Sequence, residues 1–249
     1  MTGLPIRAHN TSGYEAPSGL TAEPVVFALV HGELTVLLVR RVHEPFRGMW
    51  GLPGGFVGYG EAPEETAQRK LTEKTGVGQI YLEQLKTYAD PGRDPRGWIA
   101  AIAYLALIPA HSLQGYASGE GGPLSDAGAW WPVASPPELV FDHDAMIRDG
   151  VDRLRGKLWY SNIAVGLLPH EFTMPEARHV YEEISGMQYE PSNFRRELIA
   201  SGLVQRTGGR VMGKSGRPAD CYAFIDSTPS WSERRSRIPA RKTEKTGQQ

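Results

Sequence analysis

The chain has 249 residues, one cysteine (Cys221) and a formal net charge of −1, enough length for two small domains. The lone Cys221 excludes a disulfide framework and fits a reducing, cytoplasmic setting, and no apolar run approaches the roughly 20 residues of a membrane span. The near-neutral total hides an asymmetry: residues 22–154 hold 11 basic and 17 acidic side chains, while residues 227–249 hold 6 and 2. An acidic front and a basic rear put any nucleic-acid contact at the rear.

Residues 1–21 read as a mobile Gly/Pro/Ser/Thr leader without the apolar core of a secretory signal. Pro24–Val30 is a buried-strand run, and His31, Gly32 and Glu33 turn it back into a strand ending near Val39. A Gly-rich loop from Trp50 to Gly55 leads to a helix opening at Pro63 and leaving at Gly76. Trp98–Ile108 is a long strand, and residues 115–128 form a Gly/Ser-rich loop. Trp130 and Trp131 belong to the core or to a subunit interface. Asp142 is placed to cap a helix carrying Ile147, Val151 and Leu154 on one face, with a domain boundary near Gly156.

Beyond that boundary the chain changes to short helices and turns. Thr173 and Glu176 have capping-box spacing, followed by Ala177, Val180, Tyr181 and Ile184 on one face, up to Gly186. A second helix opens at Pro191, buries Phe194 and Leu198, and ends at Gly202. Two extended pieces, Leu203–Arg206 and Cys221–Ile225, are joined by a polar basic loop, and the tail beyond Asp226 is basic and polar. Helix, turn, helix and hairpin in this order make a winged helix.

Between residues 192 and 217 six basic side chains face one acid, Glu197. Ser192, Asn193, Arg195 and Arg196 lie near the exposed start of the second helix, where a recognition helix meets base edges and its first turn is open to phosphate. Arg210, Lys214 and Arg217 lie in the loop, as a wing that touches phosphate or the minor groove. The alternative is a winged helix used for protein contacts. A half-site is short, so a homodimer on a palindrome of double-stranded DNA is expected.

The chemistry of the front half rests on one motif. From Gly55 the chain reads Gly55, Glu61, Arg69, Lys70, Leu71, Glu73, Lys74, Gly76, Val77 at the spacing G-x5-E-x7-R-E-U-x-E-E-x-G-U, with seven of nine fixed positions matching. This resembles the Nudix box, and it implies an α/β/α sandwich around a mixed sheet over residues 22–155. The mismatches are Lys70 and Lys74, which stand where the family places principal glutamate ligands of its divalent metal. Carboxylates at i and i+4 share a helix face and suit a hard cation, whereas ammonium groups repel it. Glu61 and Glu73 alone make a poor cage, so no metal, no required cofactor and no appreciable hydrolysis are expected. Lys70 and Lys74 either are solvated helix residues or replace the metal on a ligand's diphosphate.

Other ligand candidates follow from position. Arg40 and Arg41 end a strand, and alternation sends one to each face. Residues 88–98 form a turn-rich loop resembling one common in ADP-ribose-type Nudix domains, with Arg93 and Arg96 holding phosphate or tied into a surface ion-pair network. Trp50 reads as packing more than as ligand contact.

A Nudix-like domain (22–155) followed by a winged helix (156–226) and a tail (227–249) is similar to the Nudix-related transcriptional regulators, the NrtR family. Besides the box, residues 90–98 and Ser215–Pro218 carry the likeness. The resemblance implies an α+β protein that represses NAD-biosynthesis or salvage genes and answers to ADP-ribose or a related NAD metabolite. The competing reading is an ADP-ribose pyrophosphatase with an ancillary winged helix.

Overall fold

The computed structural model describes residues 17–75, 80, 82–109, 128–212 and 218–226. The leader through residue 16, Gly76, Val77, residues 115–127, Lys214 to Arg217 and the basic tail from residue 227 lie outside the described residues. Among the described residues, no helix is long and apolar enough to cross a membrane.

β1 (Gly19–Val30) and β2 (Glu33–Arg40) pair through a two-residue turn in which His31 and Gly32 both take positive φ, 52° and 85°. That is the requirement of a type I′ hairpin, whose twist matches its strands. β3 (Trp50–Gly51) and β7 (Gly128–Pro132) pair with β2, while β4 (Gly55–Phe56) pairs with β1. β6 (Ile99–Ile108) lies beside β1, and β5 (Leu82–Tyr88) closes the seven-stranded sheet.

Alternation on β1 sends its side chains to two faces, and each face meets a helix. Ala22 packs with Tyr104 of β6 and Ala67 of α1 (Pro63–Thr75). Val25 and Phe27 point the other way, where a Cβ at Gly150 of α2 (His143–Lys157) would come within 2.9 Å of the Phe27 ring. Gly150 thus lets α2 lie close on the sheet.

The described residues divide into two compact units. One holds residues up to 27, 35–107 and 128–150; the other holds 28–34, 108–109 and 151–226. In the second unit β8 (Phe172–Thr173) leads directly into α3 (Met174–Ser185). The capping box forms: Thr173 Oγ1 accepts from Glu176 N–H, and Thr173 N–H donates to Glu176 Oε2 at 2.7 Å. α4 (Pro191–Ala200) packs on α3 through an aromatic cluster in which Trp159 meets Tyr181, Tyr189 and Phe194 edge-on, with centroids 4.8–5.8 Å apart.

β9 (Val204–Met212) and β10 (Pro218–Phe224) complete a three-stranded sheet with β8. The ribbon is longer than its sequence suggests. Gly208–Met212, expected above as loop, belongs to the strand, with Arg210, Val211 and Met212 laddered to Asp220, Ala219 and Pro218. Nearly every residue of β9 after Val204 is exposed, so no apolar alternation marks it in the sequence. α2 opens directly after Asp142, whose carbonyl accepts from the Ala145 and Met146 N–H groups while its carboxylate goes to Arg93.

Candidate functional site

α1 begins with Glu64 and Glu65 and has Lys74 in its last turn, the charge order that suits the helix dipole. Its Ala67 and the box residue Leu71 are buried, which leaves Arg69, Lys70, Glu73 and Lys74 on the outer side. There Arg69 donates from Nε and Nη2 to Glu61 at 2.8 and 2.7 Å, and from Nη1 to Glu73 at 3.0 Å. Lys70 Nζ takes the other oxygen of Glu73 at 2.8 Å. Both retained glutamates are therefore neutralised by cations of the same helix. Arg69 holds the Glu61 carboxyl down to about 2, and Lys70 followed by Arg69 lowers that of Glu73. Lys74 makes no ion pair among the described residues.

The Nudix box implies a divalent metal, and this donor set does not fit one. Two carboxylates remain, each bound to a cation, and the described residues contain no cluster of three or more acidic, His or Cys side chains able to hold an ion. Hard oxygen ligands are missing where they are needed.

Three consecutive residues tie the box to a second cluster. A Cβ on Gly55 would meet Lys70 Cε at 2.9 Å, so the lysine lies across the bare backbone of this glycine. A Cβ on Gly54 would overlap the Glu23 carboxylate, and the Phe56 ring lies 4.9 Å from the Arg96 guanidinium. Glu23 is buried on β1, and burial raises its carboxyl to about 7 against the pull of Thr21, Arg93 and Arg41.

Arg93 forms a two-pronged pair with Asp142 at 2.9 and 2.6 Å and also donates to the Ile99 carbonyl, with its side chain 3% exposed. Arg96 pairs with Asp94 at 2.9 and 2.6 Å but stays 35% exposed. Arg41 donates to the Pro45 carbonyl, and its guanidinium lies 4.9 Å from the Phe141 ring, with Arg96 5.6 Å from that ring. Burial, then the charge of Arg96, lowers the pKa of Arg41. His143 is buried and neutral, held down to about 3 by burial, and its Nδ1 accepts from Leu52 N–H at 2.9 Å.

The predicted residues thus fall into two neighbouring groups. Gly55, Glu61, Lys70 and Glu73 form one, while Arg41, Arg93 and Arg96 gather around Glu23, Asp142 and Phe141. Arg40 stands apart, 4.8 Å above the Trp50 ring, which packs edge-on against Trp131. Glu23, Phe56, Phe141, Asp142 and His143 were missed as site residues. A charged residue abutting the apolar run of β1 was the available signal for Glu23; the others lie in no pattern.

In the second unit α4 buries Phe194 and Leu198 and leaves Ser192, Asn193, Arg195 and Arg196 exposed. Its first turn is not open to phosphate, which corrects the expectation above: Glu190 accepts from Ser192 N–H at 3.0 Å and Asn193 N–H at 2.6 Å. Those amide hydrogens lower the Glu190 carboxyl. Arg196 leans on Glu197 at 3.3 Å, and Arg206 and Arg210 both reach Asp220 of β10 at 3.4 Å. Arg195 has no acidic partner among the described residues and lines a groove of about 670 Å³ between α3 and α4.

Comparison with known proteins bears on both units. A family model described as the NUDIX domain matches residues 21–150, and one described as the NrtR DNA-binding winged helix domain matches residues 164–224. The chain is 35% identical to the ADPR responsive transcriptional repressor NtrR of Acinetobacter baylyi, over 87% of this chain and 85% of that one. It is 32% identical to an ADP-ribose pyrophosphatase of Methanocaldococcus jannaschii, over 50% of this chain and 70% of that one. The crystal structure of Shewanella oneidensis NrtR complexed with a 27mer DNA superposes with a TM-score of 0.73 at 38% identity, covering 82% of this chain and 93% of that one. A Nudix domain joined to an NrtR winged helix, over most of the length of a related repressor, places this chain in the NrtR family of Nudix-related transcriptional regulators.

Proposed function

We propose that the chain is a repressor that binds a palindromic operator as a homodimer and senses ADP-ribose, or a related NAD metabolite, in a Nudix domain that does not cleave it. One observation carries this reading: lysines occupy two metal-ligand positions of the box, and the two glutamates left are bound by Arg69 and Lys70. Without an ion to activate water and neutralise the developing charge, the diphosphate has no hydrolytic route here. NAD-biosynthesis or salvage genes as targets follow from the family resemblance.

Arg41 and Arg96, flanking Phe141 with Phe56 beside Arg96, provide charge for the diphosphate and aromatic faces for a base. Lys70 and Lys74 supply the positive charge that the metal gives elsewhere, and Gly55 keeps Lys70 close to the loop. Arg93 acts by holding Asp142, and Arg40 borders the site on the Trp50 side. On the second unit DNA contact is assigned to Ser192, Asn193, Arg195, Arg196 and Arg210, and also to Lys214 and Arg217, which lie outside the described residues. The test is calorimetric titration with ADP-ribose in EDTA and in Mg²⁺, with product analysis for AMP. Binding in EDTA and no AMP are expected; metal-dependent binding with AMP release would establish the alternative, an active hydrolase. That alternative draws on the retained Glu61 and Glu73 and on the pyrophosphatase relative.

A further inference from the structure

The surface that this reading turns toward DNA carries an acid where a polycation is expected. Asp220 lies on β10 directly across the ladder from Arg210, next to a register shift that separates it from Tyr222. Arg206 and Arg210 are four residues apart on β9 and share a face of the ribbon. Both reach the Asp220 carboxylate, Nη2 of Arg206 and Nε of Arg210 each at 3.4 Å. Arg206 also lies 6.0 Å from the Tyr222 ring.

The same carboxylate borders a cleft of about 240 Å³ between the wing and the helices, shared with Met174, Pro175, Arg195 and Tyr222. Across this cleft Arg195 has no acidic partner among the described residues. Of the four described arginines on α4 and β9, three are therefore engaged by acids and one is free.

Two exposed ion pairs at 3.4 Å are readily exchanged for contacts with phosphate. The exchange has a consequence for the acid. Each arginine that moves to the backbone leaves Asp220 less neutralised, inside a cleft that a polyanion is closing. A complex without base contacts depends wholly on phosphate, so there Arg206 and Arg210 must leave Asp220. Where α4 reads base edges they can stay paired with it, and the penalty falls mainly on non-cognate DNA.

We propose that Asp220 is a specificity-determining residue of the winged helix, an acid in the helix–wing cleft that holds Arg206 and Arg210 and so weakens binding to non-cognate DNA. The proposal rests on the reading of α4 and the wing as the DNA-facing surface. It assigns Arg195 to sequence reading, and Arg206 and Arg210 to a restrained backbone role.

The experiment uses the full chain and fluorescence anisotropy at several salt concentrations. One duplex is selected by the wild-type protein from a random library, and the other is its scrambled counterpart of equal composition. Asp220→Asn is expected to tighten the scrambled duplex about tenfold and the selected duplex by less than about threefold. The slope of log K against log salt on the scrambled duplex should steepen by about one, as for one more phosphate contact. An equal change on both duplexes, or no change on either, overturns the proposal. Asp220→Glu keeps the charge and should keep the wild-type ratio, which separates the effect from a folding defect. In an Arg206→Gln/Arg210→Gln background Asp220→Asn should have lost most of its effect; a full effect there overturns the pairing account. If Arg195→Ala/Arg196→Ala leaves operator affinity unchanged, the underlying assignment of the surface fails, whatever Asp220→Asn does.

Discussion

Glu23 lies on β1 between Ala22 and Pro24, 7% exposed, with its carboxylate in the space that a Cβ at Gly54 would need. Burial raises its pKa from 4.5 to about 7, so the folded chain keeps a proton that the unfolded chain releases. Between those values the unfolded state binds fewer protons, and stability falls as pH rises from about 4.5 to about 7. The full difference is on the order of 3 kcal/mol. Glu23→Gln, which cannot ionise, should gain melting temperature over the wild type at pH 8 and gain little at pH 5. A gain of equal size at both values would show that the residue is not protonated in the fold. His143 works in the opposite direction: burial lowers its pKa from 6.5 to about 3, and stability is lost as pH falls through 6.5. Neither residue was legible as part of a site, because a single acid or histidine has no spacing to betray it. Lys70 and Lys74 were legible because the surrounding box fixes what should stand there.

Elements with chemical signals at their ends were read closely from the sequence. Pro63 opens α1, Thr173 and Glu176 close the capping box of α3, and Pro191 opens α4. The outer part of the wing is not legible because β9 beyond Val204 is exposed almost throughout and has no apolar period, and the Glu190 cap is not legible because glutamate is an uncommon choice there. That cap matters for binding as well as for folding. Its two oxygens occupy amide hydrogens that a phosphate would otherwise meet at the start of α4. Glu190→Ala and Thr173→Ala should each cost about 1 kcal/mol of stability in denaturant titration. Only Glu190→Ala should also tighten binding to a scrambled duplex, since it alone exposes a helix N-terminus on the side proposed to face DNA. If both variants shift DNA affinity alike, the gain is not due to the uncovered amides.

At the scale of the whole molecule, charge separates the two tasks. Residues 22–154 carry six more acidic than basic side chains, so the Nudix domain disfavours DNA and leaves contact to the winged helix. Inside that acidic portion, Arg41, Arg93 and Arg96 and the two lysines of the box concentrate positive charge where an anionic ligand is expected. Sensing then requires that occupancy of this site change the free energy of DNA binding, and such a coupling is reciprocal. If saturating ADP-ribose alters operator affinity by some factor, typically about 5 to 150, saturating operator must alter ADP-ribose affinity by the same factor in the same direction. Anisotropy on the operator with and without ADP-ribose gives the first factor, and calorimetry of ADP-ribose with and without operator gives the second. Lys70→Glu/Lys74→Glu should weaken ADP-ribose binding at least tenfold, the loss expected of two phosphate contacts, and leave operator affinity without effector unchanged. A coupling factor of one in the wild type would mean that the Nudix domain binds its ligand without informing the winged helix. Unequal factors would mean that the two titrations do not report the same pair of states, because linkage allows no other result at equilibrium.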